Sequence, residues 1–310
     1  MSTSAVPAPA VRDARSRTRH SRARGFTGFG FVTPFLVFYV LFLLLPLVLA
    51  VVFSLFNTSL ALPGLGRWEG LHNYGELFRD SYFWSSMWHT VLFTLVSTPV
   101  LVVVSFLLAL GVYRRRHGQW FFRLAFFLPY ILPSAVVALV WLWIFEPGYG
   151  LADGALHLVG LGAPSWLGST SIALYSIVLV TVWWTVGFNF ILFLAGLQEI
   201  PQEVYEAAEM DGASRSTQVR RITLPMLGRT VTLVTVLQII ASLKIFDQVY
   251  LMTQGGPNFS TRVALEYIYD TGFTSGRVGY ASAASLVLFV VIAIIGFAWL
   301  ALVRRQERGV

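Results

Sequence analysis

The sequence predicts an all-α integral membrane protein, built as a bundle of six transmembrane helices. Of its 310 residues, 56% are hydrophobic and 12% are charged, and the mean hydropathy is +0.70. This composition is typical of a chain whose solvent is mostly lipid, and it excludes an ordinary soluble domain. Two further observations complete the prediction: long apolar stretches recur along the chain, and arginine is distributed unevenly between the segments that join them.

Each predicted span is a run of roughly 20 or more mostly apolar residues, the length that crosses a bilayer as a helix. The six runs cover about 31–56, 87–112, 122–145, 172–197, 230–252 and 282–303. Pro129 and Pro133 fall in the third run, where one helix can end and another begin. Proline is tolerated in membrane helices when neighbouring helices satisfy the freed carbonyls, so the prolines favour a packed bundle.

Arginine sets the predicted orientation. Residues 1–28 are predicted to be a disordered basic tail, because they are rich in Ala, Ser, Pro and Arg without apolar periodicity; residues 29–310 form the membrane domain. Most arginines lie in this tail, in 113–123, in 203–229 and at the C-terminus. By the positive-inside rule, both termini and the loop 198–229 are cytoplasmic.

Several function classes are excluded or disfavoured. Without cysteine there is neither a disulfide framework nor a thiolate metal site, and the five histidines show no ligand spacing. Lys244 is the only lysine and lies in an apolar run, so the chain has no Walker A loop. No catalytic set is evident either. We therefore expect a transport subunit that is not an enzyme and holds no cofactor of its own.

The polar loop, residues 198–229, lies between the fourth and fifth predicted spans. Pro201 suits the first turn of a helix, and Gly212 suits its end because glycine adopts a positive φ freely. Ser214 can cap a second short helix, and Pro225 stands near the entry to the fifth span. The pattern predicts two short helices at the membrane surface, the first acidic and the second basic. On composition alone, a solvated loop with an ordinary charge run is equally compatible.

The spacing within the polar loop resembles the EAA loop of ABC-importer permeases. The matching residues are Glu206-Ala207-Ala208, Gly212 and Ile222-x-Leu224-Pro225. In that family the loop forms a coupling helix docked on a separate ATPase subunit, which binds the ATP and Mg²⁺. The resemblance implies that Glu206, Ala207, Ala208 and Gly212 make the dock. It also implies that Asp211, Ile222, Leu224 and Pro225 fix the loop against its own bundle.

The resemblance extends over about residues 30–305 and favours the carbohydrate-uptake branch, MalF-like or glycerol-phosphate-permease-like. The stretches 73–94, 128–145, 246–273 (with its Thr-x-Gly-Gly-Pro turn) and 278–289 carry it. It implies a MetI/MalF-like six-helix bundle in a bacterial-type cytoplasmic membrane. The implied partners are a second homologous permease, two ATPase subunits and an extracytoplasmic solute-binding protein. His89 and Asp153 depart from the family pattern, which commonly has Asn at both positions.

Polar residues inside spans are costly and usually face a cavity or a partner. On the fifth span Gln238, Ser242 and Ile245 share one face, and Lys244 and Asp247 can neutralise each other at i, i+3. On the fourth span the candidates are Gly187, Asn189 and Phe190, with Trp183 and Trp184. The competing interpretation is a structural ion pair and ordinary contacts between helices.

Three alternatives to a sugar importer remain open. An ABC permease for an amino acid, a peptide or an anion would share the EAA spacing. An ion-coupled secondary transporter would need ionisable residues in several spans, whereas only Lys244 and Asp247 qualify here. An integral-membrane enzyme lacks support because no catalytic set is present.

Overall fold

A computed structural model of the chain describes residues 32–114 and 118–307. The predicted basic tail lies outside the described residues. The regular secondary structure of these residues is helical, apart from an isolated bridge between Phe56 and Trp68. The first half of the described chain contains α1 (Val32–Ser54), α2 (His72–Arg79), α3 (Ser81–Tyr113), α4 (Gln119–Ile131), α5 (Ser134–Ile144) and α6 (Leu151–Leu158).

The second half contains α7 (Ala173–Gln198), α8 (Gln202–Met210), α9 (Arg215–Met226), α10 (Gly228–Leu243), α11 (Asp247–Met252), α12 (Ala264–Tyr269) and α13 (Val278–Glu307). By length and composition, α1, α3, α7 and α13 can each cross a membrane. The pairs α4–α5 and α9–α10 bring the number of spans among the described residues to six if each bent pair is one span.

The third predicted span is not one straight helix. The chain bends by 96° between α4 and α5, and Leu132 adopts an extended ψ of 139° because the residue before a proline, here Pro133, is pushed out of the helical region. The indole N–H of Trp184 donates to the Leu132 carbonyl at 3.2 Å. A neighbouring helix thus satisfies a carbonyl that the break leaves free.

The fifth predicted span is also interrupted, near its C-terminal end. Helix α10 ends at Leu243, and α11 begins at Asp247. Lys244 is the C-cap of α10 with φ −103° and ψ 19°, and Phe246 has an extended φ of −147°. The residues predicted to continue the helical face of α10 therefore leave the helix.

The core lies where α3, α4 and α10 pack around α7. The closest approach is at Gly187, where an added Cβ would lie 2.1 Å from the carbonyl oxygen of Phe126 on α4. Phe190 and Phe193 are fully buried one turn further on, in a cluster that Leu227 also enters. Of the described residues, 32–52 belong to one compact unit and those from Phe53 onward to another.

Candidate functional site

A cavity of about 290 Å³ opens among α3, α4, α7, α10 and α11. Its lining combines aromatic rings, amides, hydroxyls and two charged side chains. The lining residues are Phe93, Tyr130, Thr181, Trp184, Thr185, Phe188, Asn189, Leu237, Gln238, Ala241, Ser242, Lys244, Ile245, Phe246, Asp247 and Gln248. The cavity thus brings together most of the residues that the sequence suggested for a pathway.

A buried chain of hydrogen bonds forms the polar wall. Asn189 Nδ2 donates to Gln238 Oε1 at 2.8 Å, and Gln238 Nε2 donates to Ser242 Oγ at 3.0 Å. Ser242 Oγ lies 3.1 Å from Ser97 Oγ, so the chain joins α7, α10 and α3. Asn189 Oδ1 is buried without a hydrogen-bond partner among the described residues. A buried oxygen without a partner is costly to leave unmet.

Aromatic rings form another part of the lining. Tyr130 stacks on Phe188 with ring centroids 5.3 Å apart, and Phe93, Trp184 and Phe246 complete the set. Because the Trp184 N–H is already bonded to a carbonyl, its indole contributes apolar surface and not a donor. Apolar rings with a few convergent amides are the usual make-up of a site for a small polar organic ligand.

The two charged residues that line the cavity do not form the expected ion pair. Lys244 and Asp247 both line it with exposed side chains, but no ion pair joins them in the part of the chain that the structure describes. The neutralising pair was a wrong prediction, because helical i, i+3 geometry requires a continuous helix and α10 stops at Leu243. Both charges therefore remain available at the cavity.

Two predicted pathway residues lie elsewhere. Gly187 faces α4 at the close helix contact, and Phe190 is 0% exposed and packs edge-on against Phe126 at 5.3 Å. Conversely, Ser97, Phe93, Tyr130 and Gln248 were not identified from the sequence. For Ser97 a signal existed: hydroxyl residues recur on one side of α3, at Ser86, Thr90, Thr94 and Ser97, and all are buried.

The polar loop folds as two helices around a sharp turn. Gly212 follows α8 with a φ of +76°, and Ala213 N–H donates back to the Ala208 carbonyl at 2.9 Å, the backbone pattern of a glycine C-cap. Ser214 Oγ accepts from the Thr217 N–H at 3.3 Å and so caps α9 as expected. The predicted turn and cap are both present.

The exposure of the loop residues separates those that face outward from those that anchor it. Glu206, Ala207, Asp211 and Gly212 are exposed, Ala208 and Ile222 are half-buried, and Leu224 is 40% exposed beside an exposed Pro225. The anchoring role of Asp211, Leu224 and Pro225 stays a prediction, although all three are exposed. Thr223 and Leu227 are buried instead, and the Tyr205 hydroxyl lies 3.0 Å from Thr223 Oγ1. Thr223 thus ties α9 to α8 within the loop, and Leu227, the residue between α9 and α10, packs into the core cluster of the bundle.

The two departures from the family pattern make definite contacts. His89 Nδ1 lies 3.1 Å from the Arg262 carbonyl oxygen. Asp153, in α6, accepts from the Gly148 N–H and from the Trp166 indole, both at 2.8 Å. The bond from Gly148, and then that from Trp166, lower the pKa of Asp153 below its ordinary value. Both side chains hold loops to helices.

Glu266 is an unusual acid in the segment between α11 and α13. It is 1% exposed, and its Oε2 has no hydrogen-bond partner among the described residues. Burial, followed by repulsion from Asp270, raises the pKa of Glu266 to about 7 although Arg262 opposes the change. The carboxyl group lies beside the Gly-Gly-Pro turn, since an added Cβ at Gly255 would be 3.2 Å from Glu266 Oε2.

A helical bundle with several apolar spans, a polar cavity among them and a two-helix surface loop defines the class: a multi-pass membrane transport component. Residues 102–309 match the family of binding-protein-dependent transport system inner membrane components. The match covers more than half of the chain, and the chain belongs to this family.

Similar proteins are sugar permeases by name. The chain is 32% identical over 276 residues to the sulfoquinovosyl glycerol transport system permease protein SmoG of Agrobacterium fabrum, covering 89% of this chain and 90% of that protein. It is 32% identical to the trehalose/maltose transport system permease protein MalF of Thermococcus litoralis, covering 86% and 89% of the two chains.

Solved structures share the fold. A chain of a bacterial ABC transporter that imports the acidic polysaccharide alginate superimposes with a TM-score of 0.82 at 23% identity, covering 93% of this chain and 99% of that one. A second structure of such a transporter, with an alginate pentasaccharide-bound periplasmic protein, gives the same TM-score of 0.82 at 22% identity. These likenesses confirm the predicted permease fold.

Proposed function

We propose that the chain is the permease subunit of an ATP-driven importer for a sugar or a sugar-like solute and forms half of the translocation pathway. A second homologous permease would supply the other half. Two ATPase subunits would bind ATP and Mg²⁺, and an extracytoplasmic binding protein would deliver the solute. Both termini and the polar loop would face the cytoplasm, as the arginine distribution indicates.

The cavity is the observation that carries the sugar assignment. Its aromatic rings offer apolar faces to the C–H surface of a pyranose, while Asn189 and Gln238 offer amides to its hydroxyls. The unmet Asn189 Oδ1 supplies an acceptor that a sugar hydroxyl can satisfy. The names of the two similar permeases, for sulfoquinovosyl glycerol and for trehalose and maltose, point to the same class of solute.

Replacing the cavity amide tests this assignment. Asn189→Leu removes the free acceptor and the donor to Gln238 at similar volume. We expect at least about tenfold weaker uptake of the transported sugar, since a buried partner is left unmet. Uptake is measured with a labelled sugar in cells carrying the whole importer.

Trp183→Phe is the matched control, because Trp183 neighbours the cavity residues on α7 without lining the cavity. Wild-type uptake by Asn189→Leu, or an equal loss in the control, would reject the cavity as the sugar site. A non-sugar solute that competes for uptake would instead identify another branch of the family.

The exposed side of the polar loop is the second element of the proposal. Glu206, Ala207 and Gly212 present a thin, exposed surface next to a sharp turn, as a docking helix needs. We expect Glu206→Lys to abolish ATP-driven uptake and co-purification with the ATPase subunit while membrane insertion stays normal. Glu203→Lys makes the same charge change at an exposed residue of α8 outside the motif and should retain uptake. Normal uptake by Glu206→Lys would refute the coupling role.

A further inference from the structure

A second cavity, of about 550 Å³, lies where the polar loop meets the junction between α3 and α4. Its walls come from the end of α3, the start of α4, and the α8 and α9 arms of the loop. Gln202, Tyr205 and Glu209 line it from one side of α8, whereas Glu206 and Ala207 do not. The cavity is therefore on a different side of α8 from the proposed ATPase dock.

Two arginines line this cavity from separate elements. Arg114 is the residue after α3, and Arg215 is the first residue of α9. Both side chains are exposed, and neither forms an ion pair within the described residues. Among the described residues of the lining, Glu209 is the carboxylate that accompanies the two arginines. Two guanidinium groups at one cavity can bind an anion through charge-assisted hydrogen bonds.

Phosphate matches the chemistry of this lining. A guanidinium group presents its N–H donors as a planar fork that fits phosphate oxygens, and Gln202 adds an uncharged amide. Leu110, at the end of α3, adds apolar surface to the same lining, and arginines beside a membrane attract anionic headgroups.

We propose that this cavity binds a phosphate-bearing anion between Arg114 and Arg215. The phosphate belongs either to an acidic phospholipid headgroup or to a free phosphate compound. Because the walls include both helices of the polar loop and the α3–α4 junction, the bound phosphate holds the loop against the bundle. A consequence for coupling to ATP rests on the function proposed above, whereas binding itself does not depend on it.

The test uses the full chain in maltoside micelles, which contain no phosphate. Thermal unfolding is followed by tryptophan fluorescence, with inorganic phosphate added at constant ionic strength in one arm. In the other arm phosphatidylglycerol is added, with a diacylglycerol of the same chains as the uncharged control. A rise of the unfolding midpoint with phosphatidylglycerol alone identifies the lipid source, and a rise with inorganic phosphate identifies the free compound.

Arg114→Gln and Arg215→Gln should each weaken the binding about tenfold or more, since a charge-assisted hydrogen bond is lost. Arg220→Gln is the matched control, because Arg220 is exposed on the same loop but does not line the cavity. Equal midpoints of all variants without ligand show that each one folds. The proposal is overturned by an unchanged midpoint in both arms, by an equal rise with diacylglycerol, or by an equal loss in Arg220→Gln.

Discussion

Glu266 gives the most direct test of the energetics of the fold. A carboxylate that is 1% exposed with an unpartnered Oε2 is expensive to ionise, so the folded state holds its proton more tightly than the unfolded chain does. The Glu266 pKa rises from 4.5 to about 7. At 1.36 kcal/mol for each pKa unit, this corresponds to about 3 kcal/mol of folding free energy.

The direction in which folding stability changes with pH follows from the raised pKa of Glu266. A raised pKa in the folded state means that the stability associated with Glu266 is fully present below 4.5 and is lost as the pH rises through about 7. Glu266→Gln removes the ionisation at nearly constant shape. We therefore expect the variant to match the wild type in acid and to exceed it by up to about 3 kcal/mol above neutral pH.

Thermal unfolding in detergent micelles, on both sides of the interval from 4.5 to about 7, measures this difference. Glu203→Gln is the matched control: Glu203 is an exposed glutamate, so its removal should leave the pH profile unchanged. Parallel profiles for the wild type and Glu266→Gln would refute the inference that Glu266 is buried and unpaired.

Two further predictions concern the packing at Gly187 and the hydrogen bonds of Asp153. Gly187→Ala would place a Cβ 2.1 Å from the Phe126 carbonyl oxygen, so α4 must shift; we expect a loss of about 1–3 kcal/mol, seen as a lower unfolding midpoint, whereas Gly111→Ala, in open space, should be neutral or slightly stabilising. Asp153→Asn removes an acceptor used by Gly148 or Trp166 and should lower the midpoint near neutral pH. Since the pKa of Asp153 is lowered from 3.8 in the fold, its contribution is lost as the pH falls through the folded value, and the gap between variant and wild type should close in strong acid. A midpoint of Gly187→Ala equal to that of the wild type, or a gap for Asp153→Asn that widens in acid, would contradict these two arguments.

Local backbone chemistry explains what the sequence could predict. The Gly212 turn and the Ser214 cap depend on residues within a few positions of each other, so the polar loop is readable without tertiary information. The break near Pro133 is likewise local, although the sequence alone left a straight span open. The six apolar runs were readable because the bilayer requires a fixed helix length.

The sequence did not show in the same way which neighbour each side of a buried helix contacts. Apolar residues lie on every side of α7, so hydrophobic periodicity does not show which neighbour each side contacts. Gly187, Asn189 and Phe190 are close in sequence, yet only Asn189 reaches the cavity. Lys244 and Asp247 do not form the expected pair because no local sequence signal marks the end of α10 at Leu243, one residue before Lys244. The first error concerns how helices assemble, and the second concerns where one helix ends.

Helix α10 is the physical link between the two elements of the proposed function. It begins at Gly228, directly after α9 and the buried Leu227, and it carries Gln238 and Ser242 to the cavity wall. Ten residues separate Gly228 from Gln238, which is about 15 Å along a helix. Gln238 bonds Asn189 on α7, and Ser242 meets Ser97 on α3. The proposed coupling would therefore run through α10, whose displacement must either move α3 and α7 along with it or break the polar chain that joins the three helices.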